Sequence, residues 1–415
     1  MCDTEKTEAQ QTGSTEETAP MASAPHDLTS FRRIPVSQSV GTVLAHDITE
    51  ITPGKFKGRA FRKGHVIRQE DICRLQQLGK EHLFVLNIAD DEMHEDEAAF
   101  AFARTLMGEG VKISGEPKEG KITIVASRAG LLKINKEALR DFNMVGEVMC
   151  ATLHNNTVVR EGQIVAGTRA IPLVIKREVV EEAIRMAKGK RENTLESSAP
   201  RILQPSSFSS AVIEVKEMKK PKAGVVITGN EVYYGRIQDA FAPVIRKKVE
   251  EYGGEIKGIY YAPDDESYIE ARLKELIDSG CDLLITTGGM SVDPDDVTRF
   301  AVRKLGATDI TYGSPVLPGA MFLVAYLGVR CSGLGVGEEP DYAASMPEPT
   351  TQTPIPILGI PACGMYHKTT IFDLMLPRVL AGEKIGREDL AEMGHGGLCM
   401  NCEVCRYPVC PFGKC

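Results

Sequence analysis

The sequence predicts an α/β protein with a C-terminal three-layer α/β/α domain, built on a mostly parallel sheet, and an N-terminal mixed α+β region. From about residue 222, short apolar segments alternate with helical segments, which is the pattern of strand–helix–strand units. These strand segments are apolar throughout, as expected when helices cover both faces of a sheet. Before residue 222 the strands and helices follow each other without that alternation.

Composition sets the predicted domain boundaries. Residues 1–28 are acidic, polar and rich in Thr and Glu, so we expect a disordered tail there. Residues 29–190 form the mixed α+β region, and the polar residues 191–221 are expected to connect it to the next domain. Residues 222–392 form the α/β/α domain, and residues 393–415 form a cysteine-rich tail.

The first predicted helix of the mixed region lies near residue 75. Ile72, Leu75 and Leu78 share one helical face, and Gly79 follows as a C-terminal cap. Further along, the spacing predicts a helix over 97–108.

After that helix the sequence is rich in strands. Residues 111–180 alternate apolar and polar positions, with a turn at Glu161-Gly162. A helix is predicted over 176–190.

The α/β/α domain has a regular series of predicted elements. The parallel strands are expected at 223–228, 256–262, 282–287 and 356–360, and the helices at 239–254, 266–280, 295–306 and 366–382. Two further strand-like segments, 308–316 and 320–328, precede an irregular insertion over 330–354 that is rich in Gly, Glu and Pro.

Composition also excludes some classes of function. A formal net charge of −8 argues against nonspecific binding of nucleic acid, which needs a basic face. No apolar run reaches the length of a membrane span, and the N-terminal residues have no secretory signal pattern. Outside the tail the cysteines are scattered singly, which indicates a reduced chain. We therefore expect a cytoplasmic protein without nucleic-acid or membrane partners.

Three predicted strands deliver small residues and carboxylates to one edge of the sheet, because the carboxyl ends of parallel strands meet there. Glycines let a ligand approach the backbone, and a Mg²⁺ ion shared with a phosphate would reconcile the acids with an anion. The three loops carry Thr228, Gly229 and Glu231; Asp264 and Asp265; and Thr287, Gly288, Gly289, Ser291 and Asp296.

Each of these residues also has a purely structural interpretation. Asp265 and Asp296 are both placed to cap a helix N-terminus, where Asp is common. Gly288 and Gly289 would also suit an ordinary turn. The convergence of three such loops at one edge favours a binding site.

The motifs of residues 222–382 resemble those of the molybdopterin-binding domain of the molybdopterin molybdenumtransferases, the MoeA type and the E domain of gephyrin. The similar motifs are Thr-Gly-Asn-Glu-Val at 228–232, Pro-Asp-Asp at 263–265, Thr-Thr-Gly-Gly-Met-Ser-Val at 286–292, Leu-Pro-Gly at 317–319 and Gly-Ile-Pro-Ala-Cys-Gly at 359–364. The resemblance implies a MoaB- or Mog-like domain in a homodimer.

The resemblance also implies roles for individual residues. Asp296, Glu231 and one of Asp264 and Asp265 would act in molybdate insertion or metal binding. The residues that would hold the pterin, its phosphate or the adenylate are Thr228, Gly229, Thr287, Gly288, Gly289, Ser291, Pro318, Gly319, Gly359, Pro361 and Gly364.

Three positions depart from the family pattern. The glycine expected after Ser-Val is Asp293, and the lysine-bearing Pro-Gly-Lys-Pro segment reads Pro-Gly-Ala320-Met321. The Pro-Gly-Asn-Pro loop reads Pro-Ala-Cys363-Gly. A missing lysine removes a fixed positive charge from a phosphate or molybdate site. Binding of a pterin is therefore better supported than transfer of molybdate.

A second enzyme class, the competence-damage-inducible type with nucleotide amidase or pyrophosphatase activity, shares this domain. The segment Gly-Gly-Met-Ser-Val-Asp-Pro-Asp-Asp-Val-Thr at 288–298 is similar to its loop in length and in the closing Asp-Asp-x-Thr. Ser291 and Val292 fit the molybdenum family better.

Five of the 11 cysteines lie in the tail, as C-x2-C-x2-C-x4-C followed by one more. This spacing predicts either an iron–sulfur cluster or a zinc site, with an unstructured reactive tail as the alternative. His395 is interpreted as a loop residue, with a role as an additional ligand as the alternative. The predicted metal ligands are Cys399, Cys402, Cys405, Cys410 and Cys415.

Together these observations predict a protein of molybdenum cofactor biosynthesis. The first hypothesis is a transferase that inserts molybdate into adenylated molybdopterin with Mg²⁺. The second is a carrier or sensor that binds molybdopterin without catalysis and serves a molybdoenzyme apoprotein. The third is the nucleotide amidase or pyrophosphatase.

Overall fold

The computed structural model describes residues 31–52, 56–86, 88–189, 211–290, 297–328 and 354–414. The expectations for residues 1–28, for most of the connection and for the insertion at 330–353 lie outside the described residues. The chain divides into two compact units, Met1–Met93 and His94–Cys415.

The first unit contains two antiparallel strand pairs and one helix. Strand β1 pairs with β4, and β2 pairs with β3. Apolar side chains such as Leu44, Ile67, Leu75 and Leu83 form its core, and Gly79 follows the helix with a φ of +75°. The helix predicted around Leu75 is confirmed. The elements are β1 Phe31–Pro35, β2 Ile48–Thr52, β3 Phe56–Phe61, α1 Asp71–Gln77 and β4 His82–Leu86, followed by β5 Glu92–His94.

The second unit begins with a strand-rich region that carries three helices. Its two sheets are antiparallel, in the strand orders β6-β7-β11-β9 and β10-β8-β13. One strand, β13, lies within the predicted connection. The elements are α2 Glu95–Leu106, β6 Val111–Lys118, β7 Lys121–Ala126, β8 Gly130–Ile134, α3 Lys136–Asn143, β9 Val148–Thr152, β10 Thr157–Val159, β11 Ile164–Ala170, β12 Val174–Lys176, α4 Arg177–Lys188 and β13 Ile213–Lys216.

The remaining elements alternate strand and helix as the sequence predicts. The elements are β14 Lys222–Thr228, α5 Asn230–Tyr233, α6 Phe241–Glu250, β15 Glu255–Ala262, α7 Glu266–Asp278, β16 Leu283–Thr287, α8 Thr298–Lys304, β17 Thr308–Tyr312, β18 Leu323–Leu327, β19 Ile355–Ile360, α9 Ile371–Leu380 and α10 Arg387–Glu392.

The six strands of this domain form one sheet in the order β15-β14-β16-β19-β18-β17. The strands from β15 to β19 are parallel, and β18 and β17 each run antiparallel to their neighbour. Helices α6 and α9 pack on one face, and α7 and α8 pack on the other. The predicted α/β fold with a mostly parallel sheet is confirmed.

A buried ion network joins β8 of the strand-rich region to the end of the α/β/α domain. Lys133 Nζ lies 2.6 Å from a Glu383 carboxylate oxygen, and Arg378 Nε lies 2.8 Å from the other. Arg378 also pairs with Asp389. Burial lowers the pKa of Lys133. Burial alone would raise the pKa of Glu383, but Arg378 and Lys133 together hold it below its ordinary value.

The cysteine-rich tail folds back onto the α/β/α domain. Leu398 forms a parallel β-bridge with Leu317. Phe412 is buried in the core that α6 and α9 share, and Tyr407 and Cys410 pack against the same core. The described part of the tail is therefore packed against the domain. Within the described ranges, no helix is both long and apolar enough to cross a membrane.

Candidate functional site

A cavity of about 630 Å³ opens at the edge of the sheet where the parallel strands end. One wall follows β16, a second follows β19, and a third is the connection from β17 to β18. The last wall comes from the tail. The lining residues are 288–290, 317–321, 361–363, 367, 398–399 and 401.

The wall after β16 is a tight glycine turn. Gly288 has a φ of +74° and Gly289 a φ of +54°, a backbone region that favours glycine. A Cβ on Gly288 would lie 2.4 Å from the carbonyl oxygen of Thr228. The hydroxyl of Thr228 in turn donates to the carbonyl oxygen of Thr287 at 2.7 Å. Glycine is therefore required at position 288 by the close packing of the ends of β14 and β16, whether or not a ligand is bound.

Helix α8 holds the same turn from the other side. The hydroxyl of Thr298 donates to the carbonyl oxygen of Gly288 at 3.1 Å, and its backbone N–H donates to Gly289 at 3.3 Å. A Cβ on Gly289 would lie 2.5 Å from the Thr298 hydroxyl. The turn is thus fixed before any ligand arrives, which lowers the entropic cost of binding.

Other glycines at this edge are also enclosed by protein. Gly319 has a φ of +134°, and a Cβ there would lie 2.4 Å from a side-chain carbon of Ile371. A Cβ on Gly359 would lie 2.3 Å from the sulfur of Met290, and one on Gly364 would lie 2.5 Å from Ile360. These glycines allow the loops to pack closely around the cavity.

Thr287, the last residue of β16, carries a buried hydroxyl. Among the described residues this hydroxyl has no hydrogen-bond partner. An unsatisfied buried polar group is costly, and this one lies one residue before the cavity wall.

Two of the carboxylates predicted for this edge, Asp264 and Asp265, accept hydrogen bonds from the protein's own backbone. Asp265 caps α7 by accepting from the N–H of Tyr268 at 2.7 Å. Asp264 accepts from the N–H of Asn230 at 3.1 Å. Glu231 is exposed, with its carboxylate close to Gly229. None of these three residues belongs to the cavity lining.

The three described carboxylates do not converge on one point, and Asp296, the fourth predicted one, lies outside the described residues. Within the described ranges, no three His, Cys, Asp or Glu side chains converge in a group that would hold a metal ion. Mg²⁺ prefers several oxygen ligands around one point.

The cavity lining carries sulfur-containing and other polar side chains. They are the thiols of Cys363 and Cys399, the imidazole of His367 and the amide of Asn401. Burial raises the pKa of the Cys363 thiol. No lysine, arginine or carboxylate belongs to the described lining, and Ala320 and Met321 occupy the positions where the resembling family has a lysine segment.

The other tail cysteines lie in different surroundings. Cys402 is exposed and Cys410 is half-buried against the core. The sulfur of Cys405 lies 3.5 Å from the hydroxyl of Thr369, and that contact, with the backbone at Tyr407, lowers its pKa. The four described cysteines do not form a metal-binding group, and Cys415 lies outside the described residues.

The predicted binding residues fall into three sets. Gly288, Gly289, Pro318, Gly319 and Pro361 line the cavity, as does Cys399 from the predicted metal set. Thr228, Gly229, Thr287, Gly359 and Gly364 are buried around it and do not belong to the lining. Ser291, Asp293 and Asp296 lie outside the described residues.

Sequence reasoning missed the lining residues His367, Leu398 and Asn401. His367 donates its backbone N–H to the carbonyl oxygen of Cys363 at 3.1 Å, which places it beside the loop after β19. Leu398 and Asn401 reach the cavity only through the bridge to Leu317. No local pattern in the tail signals that pairing.

Two sequence profiles of known families match the chain. Residues 224–380 match a family described as "Probable molybdopterin binding domain". Residues 33–87 match a family described as "Domain of unknown function (DUF8806)". The first match spans the α/β/α domain, so the predicted molybdopterin-binding type of domain is confirmed for that part of the chain.

The curated relatives match over a shorter stretch. A "CinA-like protein" of Mycobacterium avium (strain 104) is 43% identical over 89 residues, which is 20% of this chain and 20% of that protein. A "CinA-like protein" of Mycolicibacterium gilvum (strain PYR-GCK) is 42% identical over 89 residues, covering 20% of this chain and 21% of its own length. The chain thus spans about a fifth of the length of these relatives.

Solved structures resemble the chain more distantly. The protein CinA from Thermoplasma acidophilum is 14% identical, with 38% of this chain and 98% of that chain covered and a TM-score of 0.29. The tungsten cofactor synthesizing protein MoaB from Pyrococcus furiosus is 18% identical, with 39% and 96% covered and a TM-score of 0.27. At such TM-scores the likeness carries no argument about function.

Proposed function

We propose that the α/β/α domain binds molybdopterin or adenylated molybdopterin in the cavity, within molybdenum cofactor biosynthesis. The observation that carries the proposal is the cavity itself, because three of its four walls are loops of the domain that matches the molybdopterin-binding family. Its volume of about 630 Å³ lies within the range of about 300–1,000 Å³ that is usual for small-molecule sites.

We further propose that the protein carries or senses the cofactor and does not insert molybdate. Insertion would need charged groups that hold the oxyanion, and the described lining contains no fixed cation and no carboxylate. Ala320 and Met321 leave apolar surface at the position of the expected lysine. The recipient would be a molybdoenzyme apoprotein, and a homodimer is the proposed assembly.

The proposal is tested by measuring binding of molybdopterin to the full chain by titration calorimetry. Ala362 lines the cavity, so Ala362→Trp should fill part of it and weaken binding by at least about tenfold, or about 1.4 kcal/mol. Ala391 is exposed on α10 and lies outside the described lining, so Ala391→Trp is the matched control. Equal affinities for both variants would contradict the proposed site.

Molybdate insertion into adenylated molybdopterin separates the carrier from the transferase. We expect the wild type to bind the pterin without insertion. Ala320→Lys returns a cation to the cavity wall and should tighten binding of a phosphate-bearing pterin. Insertion by the wild type that is lost in Asp296→Asn would instead establish a transferase.

The identity with CinA-like proteins favours a second candidate, hydrolysis of a nucleotide by the same domain. The activities expected of that class are amide or pyrophosphate hydrolysis of nucleotides, and both are measured by following product release. Turnover of a nucleotide together with absence of pterin binding would replace the first proposal.

A further inference from the structure

The cysteine-rich tail supplies one wall of the cavity. Leu398, Cys399 and Asn401 line it opposite the loop that carries Cys363. Two of the predicted metal ligands lie in different surroundings in the structure, because Cys399 lines the cavity while Cys402, three residues later, is exposed and outside the lining.

Backbone hydrogen bonds hold this wall in place. Leu317 donates its N–H to Gly397 at 2.8 Å, and Cys399 donates its N–H to Leu317 at 2.8 Å. Farther along the tail, Gly413 donates to Gly396 at 3.0 Å, and Phe412, 3% exposed, is anchored in the core. Both ends of the segment are fixed, so the wall persists without a ligand.

We propose that the segment 396–401 sets the class of ligand by receiving the flat, uncharged heteroaromatic ring of the molecule and excluding its phosphate. The inference rests on the proposed function. The side of the cavity between Leu398, Cys399 and Cys363 offers apolar carbon and polarizable sulfur, which suit a ring face. The amide of Asn401 both donates and accepts hydrogen bonds, which suits the edge of such a ring.

The charge of the described lining supports the same assignment. A phosphate buried without a cation or several donors is strongly disfavoured, and the described lining has no lysine or arginine. The phosphate is therefore expected outside the described lining, in contact with solvent and away from the tail.

The first experiment needs no ligand. The rate of alkylation of Cys363 by N-ethylmaleimide is followed by peptide mass spectrometry in the full chain. Cys399→Phe fills the shared cavity and should slow Cys363 by at least about tenfold, because thiol reactivity follows access. Cys402→Phe, on the same tail but outside the described lining, should leave the rate within about twofold.

A second variant guards against misfolding. Leu398 is 72% exposed, so Leu398→Trp should fold normally and should also slow alkylation of Cys363. Circular dichroism establishes that each variant is folded. An unchanged rate at Cys363 in folded Leu398→Trp and Cys399→Phe would overturn the assignment of the tail as a cavity wall.

The second experiment uses ligands. Molybdopterin and an unphosphorylated pterin should each protect Cys399 and Cys363 from alkylation, whereas inorganic phosphate should not, and Cys402 should be unaffected throughout. Protection of Cys399 by phosphate as strong as that by the pterin would overturn the ring assignment. If the tail variants slow alkylation of Cys363 but no pterin binds, the proposed function and the ring assignment are both wrong. The assignment of the tail as a cavity wall is then still supported.

Discussion

Replacing Glu383 with Gln tests the buried network that joins β8 to the α/β/α domain. The carboxylate lies between Lys133 and Arg378, and the three side chains are only 11%, 7% and 10% exposed. Glutamine keeps the shape and removes the charge. Arg378 would retain Asp389, but Lys133 would keep only the neutral side-chain oxygen of Asn156, at 2.7 Å, among its described partners.

The expected loss of unfolding free energy is about 3–5 kcal/mol, the cost of removing one partner of a buried ion pair. An independent upper bound on this loss comes from the cost of removing the proton from Lys133 when the chain folds. For a lysine with an ordinary pKa of 10.5, that release costs about 4.8 kcal/mol at pH 7. The two estimates agree, so the lysine sets the magnitude.

The pH dependence follows from the same lysine. If Lys133 is neutral in the folded variant, the unfolded chain binds one more proton than the folded chain. Stability of the variant then rises with pH, by about 1.4 kcal/mol per pH unit, until pH approaches the ordinary lysine pKa. In the wild type, Glu383 counteracts the lowering of the Lys133 pKa by burial, so a smaller rise is expected there.

Urea unfolding followed by far-ultraviolet circular dichroism measures the effect, since the chain contains no Trp. Glu250→Gln is the control, because Glu250 pairs with Arg246 at 4.0 Å and the two side chains are 56% and 50% exposed. That loss should be below about 1 kcal/mol. Adding Lys133→Met to Glu383→Gln should recover much of the stability. Equal losses for the buried and exposed carboxylates would refute the reasoning.

Three further predictions concern single residues. Gly288→Ala should lower the unfolding free energy by more than about 2 kcal/mol, while Gly280→Ala, which has a similar φ of +84° and open space around its Cβ, should cost only the backbone strain of about 1 kcal/mol. Tyr326→Phe should lower the unfolding free energy by about 1–3 kcal/mol in the same assay. The backbone N–H of Ile385 donates to the Tyr326 hydroxyl at 2.6 Å, and this buried N–H has no acceptor in the variant. The third prediction compares alkylation rates measured against pH. Cys405 should react as the thiolate at lower pH than an ordinary thiol, and Cys150, whose pKa is raised by burial to about 12, should remain unreactive. Equal pH profiles for the two thiols would contradict this prediction.

The sequence was sufficient for the sheet, because helical and strand periodicities alternate clearly and the strands are apolar on both faces. It also placed Gly288, Gly289 and Pro361 beside a common site, since parallel strands end at one edge. It could not show that Asp264 and Asp265 bind backbone groups, because a carboxylate that caps a helix and one that binds a metal occupy the same loop positions.

The role of the tail was beyond sequence reasoning for a different reason. Cysteine spacing predicts metal ligands from local distances along the chain. The position of Cys399 instead depends on pairing between residues 317 and 398, a contact between distant parts of the chain. Whether a metal or cluster binds the remaining thiols stays a prediction, which elemental analysis of the purified protein would test.

The anchoring of Phe412 in the domain core has a consequence for synthesis on the ribosome. The sheet and its glycine turns can form once β19 and α9 have emerged, because their partners precede them in the chain. The wall that contains Leu398 is secured at its far end only by Phe412 and Gly413, which emerge later. A nascent chain would therefore present an open, three-walled cleft, and the ligand pocket would close only after Phe412 and Gly413 have emerged.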